Sequence, residues 1–230
     1  MVVVSFSIIV PTWQEASAIA VSLQALQPLR KRAEIIVVDG GSEDATCDLA
    51  QALADRVLTA PRGRALQMNA GARFAQGEIL IFLHADTRLP ADALEQIEAG
   101  FSQGHRWGRF DVGLDGHHPW LPAIAFLMNL RSRLSGIATG DQAIFVPREL
   151  FDQIGGFPDQ PLMEDIELSR RLRRHGRPAC LSCRVRTSAR RWETQGVTKT
   201  ILLMWWLRLR YFFGTKPDKL AAAYQTGRFL

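Results

Sequence analysis

Few cysteines, no long apolar run, no internal repeat and neither of the common glycine-rich nucleotide loops: each shortage in this chain removes a class of protein. Three cysteines in 230 residues, Cys47, Cys180 and Cys183, cannot build a disulfide framework, and the single C-x-x-C pair lacks the second pair that a zinc ribbon requires. Plain thiols in a reducing compartment are expected. Met1 to Val10 is apolar but has no basic start and no small-residue cleavage site. That segment is therefore expected to be a buried strand, and the protein to be cytoplasmic. G-x-G-x-x-G and G-x-x-x-x-G-K-[ST] are both missing, which argues against a dinucleotide-binding Rossmann unit and a P-loop triphosphatase. The most apolar late segment, Ile201 to Phe213, is broken by Arg208 and Arg210 and falls short of the roughly 20 residues of a spanning helix.

An apolar fraction of 47% is enough for a full core in one domain of this length. The excess of 28 basic over 23 acidic residues, a net charge of +5, favours anionic partners without choosing among them. Nucleic acid is disfavoured, because no helix-turn-helix, zinc finger or aromatic RNA-binding signature accompanies the arginines. Ser7 to Val10 and Glu34 to Val38 are short apolar runs that end at turn residues, and Ala16 to Leu29 between them has helical spacing. With a weak strand at Arg56 to Leu58, a helix from Arg64 to Ala75 and a strand from Glu78 to Leu83, the opening hundred residues predict a doubly wound, mostly parallel α/β sheet. Beyond Gly100 the expectations are a helix over Trp120 to Leu134, a strand over Gln142 to Val146, a charged helix from Glu164 to His175 and a run of arginines free of acids. The economical division is one catalytic domain over 1–196 and an amphipathic helical extension over 197–230.

Ligands of such sheets sit beyond the carboxyl ends of the strands, so the residues there matter most. Asp39 closes the second strand before Gly40 and Gly41. Its carboxylate can accept a nucleobase imino N–H while the glycines let a ligand approach the backbone, or it can serve only as a helix cap. His84 and Asp86, two apart at the end of a strand, would point the same way along extended backbone and hold magnesium or manganese, although an isolated H-x-D is more often structural. Glu164 and Asp165 open a helix, where dipole complementarity alone accounts for acids; the chemical alternative is a general base for an attacking hydroxyl. Arg190, Arg191 and Trp192 have the means to grip phosphates and offer a flat ring to a sugar or base.

In order, these segments resemble the family-two inverting glycosyltransferases of the GT-A fold. Pro11-Thr12-Trp13-Gln14-Glu15 is similar to that family's P-x-x-N-E, with Gln14 in place of asparagine, and Val37 to Thr46 is similar to V-V-D-[DG]-[GS]-S-x-D-x-T. Arg64 to Gly71 carries a basic residue and then N-x-G through Asn69, His84-Ala85-Asp86 stands at the D-x-D, and Gly140-Asp141-Gln142 followed by Glu164-Asp165 matches the acceptor segment and its E-D. The resemblance implies a nucleoside diphosphate sugar, most simply a uridine one, bound by Pro11, Glu15, Asp39, Gly41, Arg64, Asn69, His84, Asp86, Arg191 and Trp192. It further implies a divalent metal, Mg or Mn, on Asp86 with His84, an acceptor hydroxyl bordered by Gly140, Asp141 and Gln142, and Asp165 as base beside Glu164. Ser188 to Trp192 lacks the glutamine of the processive Q-x-x-R-W, so a single transfer is expected. The L-H-A-D-T and T-G-D-Q-A-I-F segments resemble a small bacterial subgroup associated with arsenosugar biosynthesis.

Two rival functions differ in what they require. A sugar-nucleotide nucleotidyltransferase would want a glycine-rich basic loop after the first strand, and residues 11–15 provide none. A membrane-associated nucleotide-sugar binder without turnover would have the same donor residues but release no nucleotide. For the aromatic, arginine-bearing segment at 201–213 the partners are an anionic membrane surface, the protein's own domain or a second copy in a homodimer.

Overall fold

A computed structural model describes residues 6–227, so Met1 to Ser5 of the expected first strand and the last three residues of the expected extension lie outside it. The strands are β1 (Phe6–Thr12), β2 (Ala33–Asp39), β3 (Arg56–Thr59), β4 (Ile79–Phe82), β5 (Thr87–Arg88), β6 (Gly108–Asp115), β7 (Ile144–Pro147) and β8 (Ala179–Ser188). The helices are α1 (Ala16–Leu26), α2 (Thr46–Gln51), α3 (Arg64–Phe74), α4 (Ala93–Ser102), α5 (Leu121–Ser135), α6 (Arg148–Gln153), α7 (Glu164–Leu172), α8 (Arg190–Gln195), α9 (Val197–Phe212) and α10 (Pro217–Thr226).

All eight strands join one sheet in the order β3-β2-β1-β4-β7-β6-β8-β5. The β3-β2-β1-β4 part is parallel, as the opening sequence predicts, while β7 pairs antiparallel with both β4 and β6 and β5 pairs antiparallel with β8. Every residue of β1 and β2 is buried, which suits a sheet covered on both faces. On one face Ile8, Val10, Ile35 and Val37 meet Ile19, Leu23 and Leu26 of α1 and Leu94 and Ile97 of α4. On the other, Ile9, Ile36 and Val38 meet Met68 of α3, Phe151 of α6 and Leu168 of α7. Helix α3 comes so close that a Cβ on Gly71 would lie 2.5 Å from Ile9 Cγ2.

The irregular-looking stretch after Gly100 contains the strands β6 and β8. β6 escapes an alternation argument because Arg109 and Asp111 are buried in it. They form an ion pair, and Arg133 of α5 adds a second cation to Asp111 at 2.6 Å. Arg184 and Arg186, part of the basic run, lie along β8, where Arg186 pairs with Asp115 at 2.5 Å.

The last two helices fold back on the domain. Leu203 and Leu207 of α9 and Leu220 and Ala223 of α10 cluster with Leu162 and Met163, immediately before α7. Val197 and Ile201 of α9 meet Ile124 and Met128 of α5. The outer faces stay uncovered: Trp205 and Phe212 of α9 are 65% and 71% exposed, and Phe126 and Leu134 of α5 are 65% and 72% exposed. Among the described residues no helix is long and apolar enough to cross a membrane.

Candidate active site

In the order β3-β2-β1-β4 the chain leaves β1 on one side for β2 and returns on the other for β4. The switch point therefore lies between the ends of β1 and β4, where the loop 13–15 faces the segment 83–86. Gln67 of α3 pins this edge, its amide donating to the carbonyls of Thr12 and Val38 at 2.7 Å each. Gln14 holds a left-handed φ of 55° while its N–H donates to Ser42 Oγ at 2.9 Å. Asparagine, usual at that place in the motif, tolerates this backbone better than glutamine.

Asp39 is only 2% exposed, and its carboxylate accepts the N–H groups of Gly41 and Ser42 and the hydroxyls of Ser42 and Thr12. Burial alone would raise its pKa, but the donors, Ser42 foremost, hold the carboxyl below its ordinary value. Four donors fill the lone-pair directions of a carboxylate. A nucleobase N–H would therefore take the place of one of them, and the Ser42 hydroxyl is the one able to rotate away.

His84, Ala85 and Asp86 form a turn closed by the Thr87 N–H on the His84 carbonyl at 3.0 Å. The same-side argument needs extended backbone and does not apply here. His84 Nδ1 stands 3.4 Å from Asp141 Oδ1, and Gly140 makes room for the ring: a Cβ there would lie 2.3 Å from His84 Nε2. Burial pulls the histidine down, yet its hydrogen bond with Asp141 leaves it above its ordinary value; burial raises and His84 more than offsets the shift of Asp141, which ends lowered. On the far side, the Gly140 N–H donates to Asp165 Oδ2 at 2.9 Å and the Ile166 N–H to Oδ1 at 2.7 Å. Asp86, His84, Asp141, Gly140 and Asp165 thus follow one another across the strand ends.

The acidic pair at the start of α7 divides. Glu164 is 3% exposed and stands 3.6 Å from Arg64, its pKa raised by burial and then by the charge of Asp165. Asp165 is half-buried, and its charge and that of Asp141 act on two arginines that the sequence did not single out for the site, Arg131 and Arg208. Glu15 pairs with Arg190 at 3.2 Å, joining the P-x-x-N-E loop to α8.

Several expected ligand contacts are spent inside the protein. Asn69 exchanges two hydrogen bonds of 2.9 Å with the Phe157 backbone and so ties α3 to the loop before α7. Gln142, fully buried, caps its own turn at Thr139 and reaches Asn129 at 3.3 Å. Pro11 is a buried position of β1 beside Val38. Gly41, at φ 84°, has open space above it. Trp192 packs against Leu121, Ile124, Ala189 and Val197, so its ring serves an apolar cluster. Arg191 lies 3.5 Å over the ring of Tyr224 and donates to the Tyr224 carbonyl at 2.9 Å. Tyr224, Gln67, Arg131 and Arg208 carried no motif; only their distant partners mark them.

No group of three or more His, Cys, Asp or Glu side chains is assembled to hold a metal among the described residues. The residues nonetheless fit the way a hard cation is usually shared with a nucleotide, through one or two carboxylates with phosphate oxygens completing its shell. Asp86 is half-buried and, among the described residues, its carboxylate accepts only the long hydrogen bonds of the Thr87 and Thr187 hydroxyls at 3.4 and 3.5 Å, which leaves capacity for that contact. His84 is engaged with Asp141.

A parallel half-sheet with carboxylates at its switch point, followed by a helix that opens on two acids, is a site suited to binding and acting on a nucleotide-bearing ligand. The family model described as "Glycosyl transferase family 2" matches residues 7–157, and the chain belongs to that family and is a glycosyltransferase. Among curated proteins it is 29% identical over 111 residues to undecaprenyl-phosphate 4-deoxy-4-formamido-L-arabinose transferase of Pseudomonas syringae pv. syringae, covering 43% of this chain and 33% of that protein. The matched part is thus about a third of the length of that relative. Among solved structures it resembles a mannosyltransferase from Pyrobaculum calidifontis in complex with GDP-Man and Mn2+, at a TM-score of 0.66 and 19% identity over 96% of this chain and 68% of the other. Residues 1–349 of S. aureus TarS give a TM-score of 0.64 at 18% identity over 86% and 65%. These likenesses show the mixed α/β fold of GT-A glycosyltransferases.

Proposed function

We propose that this glycosyltransferase moves a sugar from a nucleoside diphosphate donor, uridine-linked, to an acceptor hydroxyl in one inverting transfer. The observation that carries the reading is the position of Asp165. The Gly140 N–H aims it, it lies beside Asp141 and His84, and it is the partly accessible member of its pair. In a single displacement the acceptor O–H gives its proton to Asp165, its oxygen bonds to the anomeric carbon from one face, and the nucleoside diphosphate leaves from the other. A divalent ion, bound by Asp86 together with the diphosphate, would supply stabilisation of the departing charge. Arg64 and Arg191, held near each other by Tyr224, are suited to the same diphosphate.

Solved relatives support the donor class: TarS was determined with UDP-GlcNAc, and glucosyl-3-phosphoglycerate synthase from Mycobacterium tuberculosis with Mn2+ and UDP. The L-H-A-D-T turn and the T-G-D-Q-A-I-F segment support the small bacterial subgroup associated with arsenosugar biosynthesis. The uncovered faces of α5 and α9 support work at an anionic membrane surface on the cytoplasmic side. The catalytic unit is assigned to 1–196 and the extension to 197–230, whose helices α9 and α10 pack against the unit.

The test is a panel of nucleoside diphosphate sugars titrated by calorimetry with and without manganese, followed by nucleotide-release assays. Uridine diphosphate is expected to bind more tightly with the ion, and Asp86→Asn to remove that gain. Full turnover in a strong chelator would sink the metal assignment, and binding with no release in the presence of any acceptor would favour a non-catalytic binder.

A further inference from the structure

Arg131 of α5 and Arg208 of α9 are not used by the transfer as described. Both feel the charges of Asp165 and Asp141, so the two helices deliver two guanidinium groups to the acceptor side of the base. Helix packing brings them there: Ile124 and Met128 of α5 cluster with Val197 and Ile201 of α9, and Ile124 and Ile201 each stand roughly two turns before the arginine of their helix. Nε and Nη2 of Arg131 are buried without a hydrogen-bond partner, and among the described residues neither arginine comes within 4.0 Å of a carboxylate oxygen.

Two neighbouring cations drawn partly out of water, one of them with buried unused donors, are costly unless an anion joins them. Burial and then the charge of Arg208 pull the Arg131 guanidinium down to about 10. The donor diphosphate is not that anion on this geometry. Asp141 acts on all five cations, Arg64, Arg191, His84, Arg131 and Arg208, but Asp165 acts on Arg131 and Arg208, whereas Glu164 acts on Arg64 and Asp86 on His84. Arg131 and Arg208 are thus the cations that feel the charge of the proposed base, and the donor arginines leave them over.

We propose that Arg131 and Arg208 form a binding site for a phosphate group on the acceptor, so that the substrate is a phosphorylated alcohol whose free hydroxyl faces Asp165. Planar guanidinium forks match phosphate oxygens. The phosphate is held and not altered: the bond formed is between the acceptor hydroxyl oxygen and the anomeric carbon, the bond broken is that to the diphosphate, and the proton passes to Asp165. The identity of the acceptor rests on the transfer proposed above, whereas the anion site stands on its own geometry.

The two sources of such a group, a soluble phosphate ester and a lipid headgroup, separate in two arms. Glycerol 3-phosphate is titrated by calorimetry into the full chain saturated with uridine diphosphate, and sedimentation is measured with vesicles of phosphatidylglycerol in phosphatidylcholine. Arg131→Gln with Arg208→Gln should weaken at least one arm by about tenfold or more, the scale of lost charged hydrogen bonds. Arg208→Gln alone guards against a misfolded double variant and should give a smaller loss of the same sign, and Arg208→Lys should recover part of it. Loss in the first arm identifies a soluble acceptor, and loss in the second alone a lipid one. If both arms are unchanged in folded variants, or if Lys substitution is no better than Gln, the proposal is overturned. Titration of uridine diphosphate into the same variants reports on the donor separately: its failure in the parent protein would overturn the transfer reading and leave the anion site standing.

Discussion

The guanidinium of Arg191 rests 3.5 Å from the ring centre of Tyr224, and it donates to the carbonyl of the same residue at 2.9 Å. One of the arginines expected to grip the donor is therefore positioned by the last helix of the chain. The Tyr224 side chain also lies near Arg64, at the start of α3. The C-terminal extension thus touches the donor side of the catalytic unit.

From this follows an expectation about Tyr224→Ala. Losing a cation–π contact of about 0.5–2 kcal/mol should lower folding stability by an amount of that order, and freeing Arg191 should also weaken uridine diphosphate binding severalfold. Tyr224→Phe, which keeps the ring, should bind nearly as the parent does. Removing the chain after Gly196 uncovers Leu162 and Met163 next to α7, so the shortened protein is expected to aggregate or bind donor poorly. A soluble truncation with parental nucleotide affinity, seen by calorimetry, would contradict the unity of the two parts.

Asp165→Asn is nearly isosteric and can still accept the Gly140 N–H, but it cannot take a proton. Turnover should fall about 100-fold or more, the usual range for a general base, with donor affinity unchanged. Glu164→Gln should act differently, since Glu164 is buried against Arg64. It should lower the unfolding temperature more than the turnover per folded molecule. Single-turnover rates together with thermal melts distinguish the two, and an indispensable Glu164 beside a replaceable Asp165 would reassign the base.

The pH dependence of stability carries a signature of Asp39. Its folded-state pKa is depressed by the loop donors, so the folded form binds fewer protons than the unfolded form in the acid range. The contribution is complete above the unfolded value of about 4 and is lost as pH falls through the lower folded value. Asp39→Asn should therefore be most destabilising near neutral pH, with the gap to the parent closing below about pH 4 in denaturant melts. A gap independent of pH would mean that shape alone matters at this position.

Buried charge makes a further distinction within β6. Asp111→Ala strands the fully buried Arg109 and should cost about 3–5 kcal/mol. Arg133→Gln removes the more exposed partner of the same carboxylate and should cost less than about 1 kcal/mol. Chemical denaturation of the two variants tests the order, which is inverted if Arg133 and not Arg109 is the cation that Asp111 stabilises.

Much of this site could be read from short stretches of chain. β1, β2, α1 and α3 announce themselves because they bury one face or both, and burial writes a period of two, a continuous apolar run or a helical spacing within a dozen residues. Asp39, Asp86 and the Glu164–Asp165 pair stand at element ends, where a carboxylate has a local reason to be. β6 was hidden because its inward charges cancel against each other and against α5, and pairing of that kind leaves no apolar pattern.

Other assignments depended on partners far along the chain. Asn69 looks like a ligand contact until Phe157, 88 residues on, occupies both ends of its amide. Arg131 and Arg208 carry no motif, and only the packing of α5 and α9 brings their charges within the influence of Asp165. A helix can report which face is apolar, but it carries no information about which other helix will cover that face, and the position of a charge in the site follows from that contact alone.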